Sequence, residues 1–279
     1  MEATRCNTSP IFTLYPGDAW SPVEAALDPE PWGKATDADG THSRVWRVVD
    51  PAVHEAVSAA LADAELLIAD GHHRYETART YADAIGGEGP HRYTLMCLVS
   101  LQDPGLTVFP THRLIRGLDA AGRESLEAGL RKRFELRPVP STDADPGGSD
   151  GIGVFGYLDA GGKGHRLRLR DPAELDRAIP NRPDSFRRLD SVILEHIVLR
   201  GILGMSEDDI ATKRGLAYAS SIPAVNAAIE SGEASGAFLL RPTPIEQVRE
   251  VAGAGETMPP KSTYFFPKVP TGIAFNPLS

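Results

Sequence analysis

The chain has 279 residues, 41% hydrophobic and 24% charged, and a formal net charge of −9. That balance is typical of a globular protein with room for one large or two modest domains, and the acidic total argues against nucleic acid as a partner. No run of about eighteen apolar residues is present to cross a membrane. The start MEATRCNTSPIF has no signal-peptide core, and two cysteines make neither a disulfide framework nor a metal knuckle, so a cytoplasmic setting is expected.

Residues 1–10 show no periodicity, and Ile11 to Tyr15 reads as a strand. Asp18 to Thr41, rich in Pro, Gly and Asp, reads as a long loop with at most one helical turn around Val23–Leu27. Asp37, Asp39 and Gly40 form half of a calcium loop, but the other ligands and the closing Glu are missing, so calcium is rejected. Val45 to Val49 reads as a strand. Asp50-Pro51 then places preferred residues at N-cap and N1 of a helix. Its Val53, Ala56, Val57, Ala60 and Leu61 repeat at helical spacing and predict a core-facing side.

Leu66 to Ala69 is too short for a helix and reads as a strand buried on both faces. It stops at the turn pair Asp70-Gly71. Tyr75, Ala78, Ala82 and Ile85 then mark one stripe of an amphipathic helix. His72, His73 and Arg74 therefore fall in the first turn of a helix, where unpaired N–H groups and the macrodipole favour an anion. The helix end contributes about 0.3–1 kcal/mol to a nearby anion, and a charge-assisted hydrogen bond from Arg74 roughly 1.5–3 kcal/mol. The side chains would carry affinity and the turn would aim them. A plainer reading competes with this one: Asp70 only caps the helix, and both histidines are solvated.

The chain has 6 Lys against 23 Arg, and four of its eight histidines are followed by arginine: His73, His91, His112 and His165. A GC-rich genome accounts for the arginine bias. Cations gathered at a few points also suit an anionic ligand.

Thr94 to Leu101 and Leu106 to Phe109 read as two strands of a hairpin through Asp103-Pro104-Gly105. The second runs into Thr111-His112-Arg113, again a hydroxyl, an imidazole and a guanidinium at a strand end. A helix is predicted over Gly122–Phe134, followed by the linker-like stretch Pro138–Gly151. Ile152–Leu158 and His165–Arg170 form a hairpin, with Leu167 and Leu169 inward and Arg166, Arg168 and Arg170 on a solvated face. Leu189–Leu203 is the most apolar helix, ended by Gly204, and its His196 reads as a core or boundary residue. Ser206–Asp209 has the capping-box pattern. Ser221–Ile229 is helix, closed near Gly232. Ala237–Leu240 is strand, and Thr243-Pro244 caps a helix to about Gly253. Gly255 to Ser262 is similar to a Walker A loop, but Pro260 occupies the place of the glycine before the lysine, so a P-loop is rejected. Lys261, Ser262 and Thr263 either reach an anion or belong to a tail strand tied down by Tyr264, Phe265 and Phe266.

The strings IADGHHRYETA, GTHSRVW, FPTHRLI and MPPKSTYFFPK together resemble an uncharacterised conserved prokaryotic family, domain of unknown function 1015, over nearly the whole chain. That family usually carries a further N-terminal segment with a Pro-Pro-Tyr-Asp motif, absent here, which reads as a shortened member or a truncated start. DGHHR also resembles the signature turn of the ParB and sulfiredoxin-like superfamily. Its members bind nucleotides or phosphates at this joint and include free serine kinases and ParB nucleotide hydrolases. Sulfiredoxins have a cysteine where His72 stands, and ParB proteins add basic DNA-binding helices that an acidic chain does not offer. The resemblance therefore implies small-molecule phosphoryl transfer. His73 and Arg74 would hold phosphates, and Asp70 would orient the turn or act as base toward a substrate hydroxyl.

The expected architecture is mixed α/β, with a ParB/sulfiredoxin-like core and additional C-terminal α/β elements. A phosphate-binding core over 1–137 precedes a C-terminal α/β region over 152–279, whose tail, 255–268, returns to the site. The expected function is phosphate or nucleotide binding by a small-molecule kinase that phosphorylates a hydroxyl metabolite such as free serine. Two alternatives stand beside it: a nucleotide or phosphoester hydrolase, and a non-catalytic nucleotide-binding sensor. Candidate catalytic residues are Asp70, His73 and Glu76, with Glu256 a further candidate base. The candidate phosphate-binding set is Gly71, His72, His73, Arg74, Thr111, His112, Arg113, Lys261, Ser262 and Thr263. ATP or ADP and Mg²⁺ are implied by the chemistry, with no metal-ligand cluster to name; the partner is a small molecule, and a homodimer is an option.

Overall fold

The computed structural model describes residues 1–37 and 40–279. Asp39 of the half calcium loop lies outside them. The chain divides into two units, Met1–Thr107 with Pro267–Ser279, and Val108–Phe266. Both mix helices and sheets, giving the α/β class expected, and no helix among the described residues is long and apolar enough to cross a membrane.

The first unit is built on β1 (Ile11–Tyr15), buried at all five positions. It pairs antiparallel with β2 (Leu67–Asp70) and parallel with β3 (Met96–Ser100), so it is the central strand of three. The strand expected to be buried on both faces is in fact an edge strand. All four residues of β2 are half-buried and Leu66 is exposed, because only β1 pairs with it. Before it comes α1 (Pro51–Leu61), where the Asp50 carboxylate accepts the Ala52 N–H at 2.9 Å. The predicted core face of α1 is only partly covered, and none of its residues is buried. After β2 comes α2 (His72–Ile85), which buries Ala78 and Ala82 and leaves Tyr75 and Ile85, the ends of its expected stripe, exposed.

The long loop contains the one helical turn allowed for it, at Ser21–Glu24. Three further expectations in this unit are corrected. The loop also holds a strand at Gly33–Thr36, which pairs with His42–Val45, and the strand expected at Val45–Val49 ends where it was to begin. The hairpin around Asp103–Gly105 does not form. The turn is made, with the Gly105 N–H on Asp103 Oδ1 at 2.7 Å, but it separates strands of different sheets. β3 lies on β1, and β4 (Thr107–Phe109) pairs with Tyr264–Phe266.

The second unit has a six-stranded antiparallel sheet made of β5 (His112–Ile115), β6 (Phe134–Val139), β7 (Val154–Asp159), β8 (Gly164–Leu169), β9 (Leu216–Ala219) and β10 (Gly236–Leu239), in the order β9-β5-β10-β7-β8-β6. The β7–β8 hairpin forms, with Leu167 and Leu169 buried in the core. Helix α3 (Ala120–Arg133) is capped by Asp119, and its Leu126 and Leu130 pack with Phe134, Phe155, Ile197 and Phe238. The apolar segment expected as one α-helix is α-helical over Asp190–Ile193 and wider, π-helical, over Leu194–Arg200. The Ser206–Asp209 box forms, and the next helix runs over Ile222–Glu230 with Ser221 as its cap. Thr243 does not cap the helix Ile245–Gly253; its hydroxyl donates to the Ser262 carbonyl at 3.1 Å. The stretch 138–151 lies inside this unit, with Ala144 fully buried and its carbonyl over Gly156, where a Cβ would collide with it.

Candidate functional site

The Asp70–Arg74 turn sits at the end of β2, where Asp70 is paired with Phe12 of β1. Gly71 has φ of +93°, a left-handed conformation that costs other L-residues about 1–2 kcal/mol. Helix α2 starts beyond it with no side-chain cap, so its leading N–H groups, which have no intrahelical partner, receive no capping side chain either. Asp70, the alternative cap in the plainer reading, closes the strand instead.

Arg74 folds back beneath this turn. Its Nη1 donates to Ser9 Oγ at 2.7 Å and to the Pro10 carbonyl, and its Nη2 lies 3.5 Å from Asp70 Oδ2. The same Asp70 oxygen is 3.6 Å from Lys268 Nζ, so a half-exposed carboxylate is held between two cations. On the outer side, the His72 and His73 rings lie 4.1 Å apart, and His73 Nδ1 is 3.5 Å from Glu76 Oε2. The His73 side chain is 85% exposed, leaving it free to meet a ligand. The turn therefore offers two accessible imidazoles and a set of N–H groups, with a braced guanidinium underneath. The first unit thus brings together Asp70, Gly71, His72, His73, Arg74 and Glu76. Sequence reading missed Ser9 and Lys268. Lys268 had a signal, since it closes the MPPKSTYFFPK string; Ser9 had none.

The remaining candidates gather inside the second unit, where Thr111, His112 and Arg113 are all buried. Arg113 Nη1 donates to the carbonyls of Thr111 and Lys261, the latter at 3.0 Å, and its Cζ lies 4.9 Å from the Tyr218 ring centroid. Burial pushes its pKa down to about 10. His112 Nδ1 accepts the Leu240 N–H at 3.2 Å, which requires that nitrogen to be unprotonated. Burial, with a smaller opposing effect of Asp145, takes the His112 pKa down to about 4. Ser262, also buried, bonds through its hydroxyl to Ser191 Oγ at 2.8 Å and to the Pro259 carbonyl at 2.7 Å. Lys261 is exposed with φ of +61°, Thr263 is half-buried, and Glu256 is ion-paired to Arg182 at 2.5 Å. As placed, this group ties the 259–263 segment to strand β5.

Among the described residues, no cluster of three or more His, Cys, Asp or Glu is positioned to hold a metal. Mg²⁺ is commonly held by one or two carboxylates plus substrate phosphates. Asp70 and Glu76 are the groups at the turn with that chemistry.

A family model described as protein of unknown function (DUF1015) matches residues 1–192. No curated protein matches the chain. Among solved structures, a conserved hypothetical protein from Pyrococcus furiosus is similar at a TM-score of 0.43 and 17% identity, covering 94% of this chain and 90% of that one. A mutant free serine kinase in complex with ADP gives 0.44 and 13%, and a free serine kinase in complex with AMP 0.45 and 14%; each covers 96% of this chain and 88% of the other.

Proposed function

The chain belongs to the DUF1015 family, and we propose that its Asp70–Arg74 turn binds the phosphate groups of a nucleotide or a small phosphorylated metabolite. The observation that carries this reading is the uncapped start of α2 behind a left-handed glycine, with both imidazoles outside it and Arg74 fixed below. Oxyanions favour such a helix end, and the N–H groups there have no competing cap. The resemblance of DGHHR to the signature turn of the ParB and sulfiredoxin-like superfamily, whose members hold phosphates at this joint, supports the same reading.

The finer reading is a kinase that moves phosphate from ATP or ADP to the hydroxyl of a small metabolite such as free serine. Phosphoryl transfer demands positioning and charge stabilisation more than covalent chemistry. In this reading His72, His73 and the leading N–H groups hold phosphoryl oxygens, and Arg74 keeps the turn in shape. Asp70, fixed by Arg74 and Lys268, takes the hydroxyl proton. Asp70 or Glu76 would hold Mg²⁺, whose chemistry there would be to neutralise phosphate charge.

Calorimetric titration with inorganic pyrophosphate tests the binding step. Saturable binding that His72→Ala/His73→Ala weakens at least ten-fold is expected, and no binding by the wild type removes the reading. Incubation with ATP, ADP or pyrophosphate plus a panel of hydroxy amino acids tests the kinase. A phosphorylated amino acid is expected. Phosphate release without acceptor would indicate a hydrolase, and binding without turnover a sensor.

A further inference from the structure

A concavity of about 200 Å³ lies along the flank of α2, lined by Tyr75, Arg79, Asp83, Arg92, Tyr93 and Thr94 among others. It adjoins the phosphate turn for a topological reason. Asp70 is opposite Phe12, Ile11 is opposite Met96, and the Ile11 N–H donates to the Leu95 carbonyl at 2.9 Å. The segment leading into β3 through Tyr93–Leu95 therefore runs at the same end of the sheet as Gly71. On the other wall, Tyr75 is three residues into α2 from His72, about 4.5 Å along the helix axis.

The wall opposite the helix is held in place. The Leu95 N–H donates to Asn7 Oδ1 at 3.3 Å, Asn276 Nδ2 to the Tyr93 carbonyl at 3.3 Å, and His91 Nε2 is 3.1 Å from the Gly86 carbonyl. Five side chains on the two walls are unengaged among the described residues. Tyr93 is 72% and Tyr75 39% exposed, with no ring packed on either among the described residues. Arg79, Asp83 and Arg92 likewise make no side-chain hydrogen bond or ion pair there. Two open aromatic rings beside free donors and a free acceptor, on a fixed backbone, suit a flat heterocycle with a polar edge. The volume agrees, falling below the roughly 300–1,000 Å³ of pockets that enclose a whole drug-sized ligand.

We infer that this groove holds the nucleobase of a nucleotide whose phosphates lie on the Gly71–Arg74 turn. The inference rests on the phosphate reading above and narrows its ligand from phosphorylated metabolites in general to nucleotides. The base stacks on Tyr75 and Tyr93, while Arg79, Asp83 and Arg92 meet its polar edge.

Calorimetric titration of the full chain with pyrophosphate and with ADP separates the two claims. The wild type is expected to bind ADP at least ten-fold more tightly than pyrophosphate, because base–aromatic stacking is worth about that factor per base. Tyr93→Ser and Tyr75→Ser should each lower ADP affinity roughly ten-fold and leave pyrophosphate affinity unchanged. Tyr93→Phe should retain ADP binding, which a hydroxyl contact would not allow. Both tyrosines are exposed, so the variants are expected to keep the wild-type melting temperature, and a variant that does not is replaced by the other. Equal affinity for ADP and pyrophosphate, or serine variants that keep the ADP advantage, would overturn the nucleobase site alone. Binding of neither probe would overturn the phosphate reading and this inference with it.

Discussion

The guanidinium of Arg74 lies across the Cα of Gly71: a Cβ at that glycine would fall 2.8 Å from Cζ, Nε and Nη2 of the arginine. Two demands thus meet at one position, a φ of +93° and room for a side chain three residues later. Gly71→Ala is expected to destabilise the fold by about 1–2 kcal/mol from backbone strain alone. It should also displace Arg74 and abolish pyrophosphate binding. Urea denaturation and calorimetry on the same preparation check both, and unchanged binding would sink the assignment of the turn.

Arg74→Lys keeps the charge but loses the fork that spans Ser9, Pro10 and Asp70. A loss of about 1–2 kcal/mol in stability is expected, discounted because the side chain is 37% exposed. Pyrophosphate affinity should fall about ten-fold as the turn loosens. Ser9→Ala removes one acceptor and leaves the Pro10 carbonyl, so its effect on affinity should be several-fold smaller. If the two variants bind alike, Arg74 acts as a simple charge and not as a brace.

The joint itself was legible because each of its signals is local. A short apolar run, Asp-Gly and helical spacing of small residues stand next to one another between residues 66 and 85, and the structure has β2, Gly71 and α2 there. What escaped depended on residues far away in sequence. Asp103-Pro104-Gly105 makes a turn, yet the partner of β4 is Tyr264–Phe266, over 150 residues on, and no local pattern names it. Nor could an apolar run such as Leu66–Ala69 declare whether one strand or two would pair with it. The burial of Thr111-His112-Arg113 was not legible either, because a polar triplet at a strand end reads as a ligand contact when its partners lie elsewhere in the chain. The carbonyls of Lys261 and Thr111 and the Tyr218 ring that make burial of Arg113 tolerable come from three separate segments.

His112 makes folding pH-dependent. Its folded pKa of about 4 lies below the roughly 6.5 of an unfolded histidine. The unfolded chain therefore binds a proton across that window and the folded chain does not. The contribution is fully present above about pH 6.5 and is lost as pH falls toward 4, reaching about 3 kcal/mol at most. Denaturation at pH 7, 5.5 and 4.5 should show this decline. His112→Asn, which offers an amide oxygen to the Leu240 N–H without titrating, should flatten it. A variant as acid-sensitive as the wild type would place the decline elsewhere.

The Asp190–Arg241 pair is the second unit's most enclosed fork, with Nε and Nη2 each 2.7 Å from a carboxylate oxygen and side chains 12% and 18% exposed. Arg241 Nη1 also donates to the Ser149 carbonyl at 2.6 Å, binding in the stretch that sequence read as a linker. Burial raises the Asp190 pKa despite the guanidinium beside it, so desolvation outweighs attraction. Removing only the arginine leaves a buried carboxylate alone. Arg241→Met is expected to cost about 3–5 kcal/mol at pH 7. The sign with pH follows from the raised folded pKa. The deserted carboxyl takes up a proton more readily in the fold than when unfolded, so the cost should shrink as pH falls toward the unfolded value near 4. Asp190→Leu/Arg241→Met, which removes both charges, should be less harmful than the single change at pH 7. Urea denaturation at pH 7 and 4.5 decides it: a single variant whose deficit stays constant with pH would mean that the loss lies in the Ser149 contact and not in the stranded charge.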